Sequence, residues 1–176
     1  MPSPEFRIGH GYDLHRLEPV APDGPRRPLI IGGVRLDHDR GPVAHSDGDA
    51  LYHAVTDAIL GALARPDIGQ LFPDTDPRHE SQDSQTFLRE AARLCRADHY
   101  EILSVDATVV LERPKLSPHK LAMRQNIADC LGIDLARVNV KGKTHERVDA
   151  VGEGRAIEVH VVALLRHQPS PRSEAP

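Results

Sequence analysis

Two short motifs far apart in this chain restrict its fold more than its composition does. In Gly9-His10-Gly11-Tyr12-Asp13-Leu14-His15, Asp13 and His15 stand two residues apart. A strand sends alternate side chains to the same face, so both heads can converge on one point. The second motif, His45-Ser46-Asp47-Gly48-Asp49, leads into His53. Two imidazoles and a carboxylate suit zinc or another divalent transition metal, and three protein ligands leave a fourth tetrahedral position for water or substrate. A fold that uses all three must bring a strand against the start of a helix. Taken alone, Asp13-x-His15 is more often an exposed strand end, and His53 a satisfied helix histidine.

The segment around His53 shifts that balance. Over residues 49–64, Ala50, Leu51, Ala54, Val55, Ala58, Ile59, Ala62 and Leu63 recur at helical spacing, which predicts an amphipathic helix. Asp49, His53 and Asp57 fall four apart on another face, the pattern of a ligand flanked by residues that orient it. Ser46-x-x-Asp49 resembles a capping box and puts the helix start near His45 and Ser46. A helix start with free N–H groups attracts anions, so an open metal beside it points to a phosphorylated substrate.

Composition excludes several classes. At 176 residues with 3% aromatics and no Trp, the chain fits one core of Val, Leu, Ile and Ala. A formal charge of −4 and the absence of a basic run argue against nucleic-acid binding. Cys95 and Cys130 are too few for a disulfide framework, which suits a reducing compartment. With no apolar signal core at the start and no membrane-length apolar run, the expected location is cytoplasmic, with no membrane partner.

Strands and helices alternate without a linker. Strands are expected over residues 6–12, 102–111, 137–143 and 156–165, with a strand pair at 28–31 and 34–36 around Gly32-Gly33. Residues 19–27 read as a surface loop. Further helices are expected over 84–97 and from Ser117-Pro118 to near Gly132. Residues 1–5 form a short extension, 6–166 one domain, and 167–176 a polar tail expected to be disordered.

Further segments could carry chemistry. Asp67-Ile68-Gly69 and Phe72-Pro73-Asp74-Thr75-Asp76 follow the His53 helix directly, although each is by itself an ordinary turn sequence. Arg113-Pro114-Lys115-Leu116-Ser117 joins the long strand to the next helix. Lys143-Thr144-His145-Glu146 ends a strand; Thr and Lys can bind phosphate oxygens, and Glu a hard cation.

In this order the segments resemble the 2-C-methyl-D-erythritol 2,4-cyclodiphosphate synthase family over residues 6–166. The most specific parts are Arg7-Ile-Gly-His-Gly-Tyr-Asp-Leu-His15, Ile31-Gly-Gly-Val34, Ala44-His-Ser-Asp-Gly-Asp49 and Asp67-Ile-Gly-Gln-Leu-Phe-Pro-Asp-Thr-Asp76. The resemblance implies an α+β domain, a mixed β-sheet covered by helices on one face. It also implies a homotrimer around a central axis with active sites shared between neighbours. Zinc would bind Asp13, His15 and His53, and Mg²⁺ or Mn²⁺ would accompany the diphosphate at Glu146. Substrate would touch Asp13, Leu14, His15, His45, Ser46, Asp67, Ile68, Gly69, Phe72, Pro73, Asp74, Thr75 and Asp76. The cytidine pocket would be Leu111, Glu112, Arg113, Pro114, Lys115, Leu116 and Ser117, with Lys143, Thr144, His145 and Glu146 completing the phosphate site. His45 and Thr144 hold the positions of transition-state stabilisers.

The implied reaction is cyclisation of 4-diphosphocytidyl-2-C-methyl-D-erythritol 2-phosphate with loss of CMP. Two other readings remain beside it: a metal phosphohydrolase, which the bare Asp/His/His set permits, and a nucleotide-binding trimer without turnover. The chain departs from the family pattern at Lys143 and His145, where small or hydroxylated residues are common, and at Ala150, where an aromatic is. It reads Gly152-Glu-Gly-Arg155 where relatives read Gly-Arg-Gly-Glu. The reversal either weakens isoprenoid-diphosphate binding at the trimer axis or exchanges the two ends of one ion pair.

Overall fold

Alternation along the first strand decides which side of the sheet is buried. In the computed structural model, which describes residues 4–20, 27–73 and 82–168, β1 runs from Phe6 to Pro19. It pairs antiparallel with β7 (Ala156–His167) from Phe6↔Arg166 to Arg16↔Ala156. On β7's other side lies β5 (Tyr100–Val110), antiparallel, followed by β6 (Val138–Lys143), parallel to β5. A short β4 (Arg40–Pro42) pairs with the far end of β1, giving the order β4-β1-β7-β5-β6. The sheet is therefore mixed, as expected for this single α+β domain. β2 (Ile30–Ile31) and β3 (Val34–Arg35) form the hairpin around Gly32 and Gly33, both at positive φ.

Helices cover one face. α1 (Ala50–Ala62) lies on β1 and β7, α3 (Gln85–Ala97) packs on α1 and β5, and α4 (Lys120–Leu131) lies on β6. Two four-residue helices, α2 (Ile68–Leu71) and α5 (Asp149–Gly152), follow α1 and β6. The core between sheet and helices is aliphatic, with Leu51, Ile59, Leu60, Leu88, Ile127, Val159 and Val161 fully buried. The opposite face of the sheet carries exposed Ile8, Tyr12 and Leu14 of β1 beside Val162 of β7.

The contact between β1 and α1 is close enough to exclude side chains. A Cβ on Gly9 would sit 1.8 Å from Ala58 O and 2.7 Å from Ala62 N; one on Gly11 would sit 1.8 Å from Ala54 O and 2.7 Å from Ala58 N. Two residues of strand advance about 6.6 Å and four residues of helix about 6 Å, so the two elements stay in step, running in opposite directions. The next inward positions of β1 after Gly11 are Asp13 and His15, and continuing down α1 from Ala54 leads to His53.

Several expectations need correction. β1 extends well past residue 12, held by β7 as far as Arg16 and by β4 from Leu17 to Pro19; Asp13 and His15 at its inward positions hide the alternation there. The helix after Ser46 begins at Ala50, and its cap is Asp49, not Ser46. Asp49 Oδ1 accepts from Leu51 and Tyr52 N–H at 3.1 Å each, whereas Ser46 Oγ accepts from Gly48 N–H at 3.1 Å. The helix expected from Ser117 starts at Lys120 and ends as anticipated, with Gly132 left-handed. β7 reaches His167, and Gln168 N–H donates to His99 O at 2.7 Å, so this part of the expected tail is paired. Residues 1–3, 169–176 and most of the expected 19–27 loop lie outside the described residues.

A Gly11→Ala substitution is expected to lower stability by about 2–3 kcal/mol, because the backbone contact cannot yield without separating strand and helix. Gly61, whose added Cβ would meet only His10 O at 3.9 Å, is the control. There alanine should be neutral or stabilising by up to about 1 kcal/mol. Urea denaturation of both variants checks the pair.

Candidate metal centre and substrate cavities

β1 and α1 bring Asp13, His15 and His53 together. Asp13 Oδ2 is 3.1 Å from His15 Nδ1 and 3.1 Å from His53 Nδ1, and the ligand atoms of all three lie within 4.8 Å of one another. Burial alone would raise the Asp13 carboxyl, but the two imidazoles outweigh it and hold it well below the usual carboxylate range. Burial disfavours a charged His53, yet Asp13 raises its affinity for a proton.

The donors fit a cation. Around a tetrahedral ion with bonds of about 2.0–2.1 Å, neighbouring donor atoms stand about 3.3 Å apart, close to the spacings seen. His15 Nδ1 is buried without a hydrogen-bond partner, although it faces Asp13 Oδ2. A buried nitrogen left unpaired beside a carboxylate is costly unless something bonds to both.

The triad opens into a cavity of about 260 Å³ lined by His15, Ala44, His45, Ser46, His53, Ile68, Gly69, Phe72 and Phe87. His45 is exposed and Ser46 buried. Asp67 caps α2, accepting from Gln70 N–H at 2.9 Å, and Asp57 Oδ1 accepts from Ile68 N–H at 2.8 Å, tying α2 to α1. Leu14 turns its side chain to the open face of the sheet, leaving its N–H on Asp13 Oδ1 at 2.9 Å. Pro73 is half-buried and does not line the cavity. Asp74, Thr75 and Asp76 lie outside the described residues.

A second cavity, of about 310 Å³, sits where the parallel strands β5 and β6 end. It is lined by Leu111, Glu112, Pro114, Lys115, Leu116, Ser117, Lys120, Gly142, Lys143, Thr144 and Glu146. Two expected members are turned elsewhere: Arg113 faces Asp39 at 3.4 Å, and His145 Nδ1 is 2.9 Å from Asp149 Oδ2. Thr144 Oγ1 donates to Glu146 Oε1 at 3.0 Å. Glu146, Arg147 and Asp149 all hold positive φ, a costly conformation for residues with a Cβ and one that clusters at working sites. Among the described residues none lines both cavities.

Two sequence expectations about α1 change here. Asp49 is fully buried, and its carboxyl makes its hydrogen bonds to backbone N–H groups and not to the triad. Its Oδ1 also accepts from Gly32 N–H at 2.9 Å and its Oδ2 from Gly33 N–H at 2.7 Å, so it ties the hairpin to the helix start. Burial pushes its carboxyl up to about 6 against the pull of those N–H groups. The N–H groups expected to receive an anion are thus taken by the protein's own carboxyl. Asp57 likewise accepts its hydrogen bond from α2 and not from His53. The partners of His53 Nε2, Ser46 and Ser84, belong to different elements. Ser84 and Phe87 were invisible as site residues because Ser at a helix start and Phe on an apolar stripe read as cap and core. Lys120 had no signal beyond its position. At the altered segment, Arg155 Nε donates to Glu153 Oε2 at 2.7 Å, so the reversed charges pair with each other, and Ala150 packs against the Val110, Val151 and Ala156 cluster.

Comparison with known proteins agrees with this layout. The YgbB family model matches residues 6–166. The chain is 58% identical over 160 residues to the chloroplastic 2-C-methyl-D-erythritol 2,4-cyclodiphosphate synthase of Catharanthus roseus, covering 91% of this chain and 65% of that protein's length. It is 52% identical over 160 residues to the 2-C-methyl-D-erythritol 2,4-cyclodiphosphate synthase of Chromobacterium violaceum, covering 91% of this chain and 98% of the relative. The structure of Plasmodium falciparum IspF in complex with CDP superposes with a TM-score of 0.82 at 38% identity, covering 95% of this chain and all of that one. The chain belongs to the YgbB family of 2-C-methyl-D-erythritol 2,4-cyclodiphosphate synthases.

Proposed function

We propose that this protein converts 4-diphosphocytidyl-2-C-methyl-D-erythritol 2-phosphate to 2-C-methyl-D-erythritol 2,4-cyclodiphosphate and CMP, as a lyase of non-mevalonate isoprenoid synthesis. The observation that carries the reading is the convergence of Asp13 Oδ2, His15 Nδ1 and His53 Nδ1, with the buried His15 Nδ1 facing the carboxylate but in no hydrogen bond. In the reaction an oxygen of the 2-phosphate attacks the β-phosphorus, and the bond from that phosphorus to the oxygen bridging it to the α-phosphorus breaks. The nucleophile is already anionic, so no Ser-His pair is required. The work is to hold two mutually repelling groups in line and to stabilise charge as it moves onto the departing CMP.

In this reading His45 and Thr144 donate toward the developing charge. Ser46, Asp67, Ile68, Gly69, Phe72 and Pro73 hold the methylerythritol and diphosphate, as do Asp74, Thr75 and Asp76. Leu111 to Ser117 receive the cytidine, and Lys143, His145 and Glu146 frame the phosphates. Zinc at Asp13, His15 and His53, with magnesium or manganese at Glu146, would supply charge neutralisation. An open zinc can also activate water, but the nucleotide-sized second cavity and the CDP complex of the Plasmodium relative favour cyclisation over hydrolysis.

The working form in this proposal is a homotrimer, with one domain over residues 6–166 per subunit. Two observations support it. Among the described residues the two cavities share none, as expected if one substrate is held between a subunit and its neighbour. The open sheet face exposes Ile8, Tyr12, Leu14 and Val162 together, the kind of apolar surface that a protein interface covers. Among the described residues no helix is long and apolar enough to cross a membrane, and Cys95 and Cys130 are free and buried; we assign the protein to the cytoplasm.

Incubation with the substrate, Zn²⁺ and Mg²⁺ should yield CMP and two coupled ³¹P signals of a cyclic diphosphate. The His53→Ala variant should lose at least about a thousandfold in rate, since neutralisation of transferring phosphates contributes several kcal/mol. CMP with a linear bisphosphate would indicate a hydrolase, and intact substrate a binding protein. A double variant, Ile8→Glu with Val162→Glu, should elute as a monomer while the unaltered chain elutes as a trimer, and it should lose turnover together with assembly. Light scattering after size exclusion measures this.

A further inference from the structure

Ser84 stands at the start of α3 but does not cap it: its side chain makes no bond to the helix N–H groups. Asp83 takes over that task, with its Oδ1 accepting from Gln85 N–H at 2.9 Å. The freed hydroxyl is fully buried and lies 2.8 Å from His53 Nε2. On its other side it makes a short hydrogen bond to Asp47 Oδ1, and Ser84 N–H donates to Asp47 Oδ2 at 3.2 Å. Asp47 is itself anchored, its N–H donating to Gln82 O at 3.1 Å and its Oδ1 also accepting from Asp49 N–H at 3.2 Å.

Counting protons fixes the direction of this chain. An ionised Asp47 can only accept, so the one hydroxyl proton of Ser84 goes to it. Ser84 Oγ must then accept from His53, which requires a proton on Nε2. Ser46 Oγ, 3.2 Å from the same nitrogen, accepts from Gly48 N–H and is the longer contact. With the proton on Nε2, a neutral His53 presents the lone pair of Nδ1 toward Asp13 Oδ2 at 3.1 Å. Two acceptors facing each other at that distance repel unless a cation lies between them.

We propose that Ser84, held by Asp47, is a positioning residue of the metal centre: it selects the His53 tautomer protonated at Nε2 and so presents Nδ1 as the metal ligand. This rests on the reading of Asp13, His15 and His53 as a metal site. The relay also explains why residues 46–49 and 82–84 are clamped together, since a shift of either would rotate the imidazole away from Asp13. Partners of this kind on ligating histidines typically change metal affinity by about 10- to 100-fold when removed.

The test uses the full chain freed of metal, titrated with Zn²⁺ against a chromophoric chelator, and with Co²⁺ followed by its visible spectrum. Ser84→Ala should weaken zinc binding about tenfold or more and alter the Co²⁺ bands. The metal-free protein should still melt in one cooperative transition, lowered by the several degrees that the loss of one buried hydrogen-bonded hydroxyl brings. Asp47→Asn, which keeps the shape of the clamp, should shift zinc affinity in the same direction and decides the matter if Ser84→Ala does not fold. Zinc affinity equal to the unaltered chain's in the folded variant would overturn the positioning role. An unaltered chain that binds no zinc would overturn the metal reading itself, and the positioning role with it.

Discussion

The candidate metal centre depends on how closely one strand lies against one helix. Gly9 and Gly11 on β1 meet Ala54, Ala58 and Ala62 on α1 at backbone distance, with no room for even a methyl group at either glycine. Such a seam forgoes the apolar area that larger residues would bury and gains precision instead. A strand and a helix held at contact by backbone atoms cannot slide without collision. The donors that follow in register, Asp13 and His15 on one side and His53 on the other, therefore arrive within bonding range of a single point. A metal site needs this because its affinity falls steeply when donors miss their positions.

Around that point the chain uses polar groups to lock its loops. Asp49 gathers the hairpin glycines and the start of α1. Asp57 holds α2. Asp47 and Ser84 join the loop before α1 to the start of α3. Each carboxyl satisfies backbone N–H groups that would otherwise be unpaired near the core, and Asp57, through Ile68, also fixes a wall of the cavity beside His53. The second cavity is built differently, from the carboxyl ends of the parallel strands β5 and β6, the side of parallel strands where α/β proteins commonly hold ligands.

Much of this was legible from residue patterns. The two-residue spacing of Asp13 and His15 put both on one strand face because strand period is fixed by backbone geometry, and these two do converge with His53. The apolar stripe of residues 49–64 located α1 to within two residues at either end. What pattern could not show were features set by tertiary contact. β1 runs to Pro19 because β7 pairs with it as far as Arg16 and β4 from Leu17 onward, while most of its own residues past Tyr12 look polar. Asp49 reads equally as a metal neighbour or a cap, and only the approach of the Gly32-Gly33 hairpin decides for the cap. α2, α5 and β4 are too short to establish a period. Ser84 carries no local mark of its role, because its partners, Asp47 and His53, are 37 and 31 residues away.

Zinc K-edge X-ray absorption on the metal-loaded protein tests the account most directly. The account predicts a four-coordinate ion at about 2.0–2.1 Å with two imidazole nitrogens and the remaining donors oxygen, one of them exchangeable. Sulfur at about 2.3 Å, or a shell of six oxygens without imidazole scattering, would contradict it.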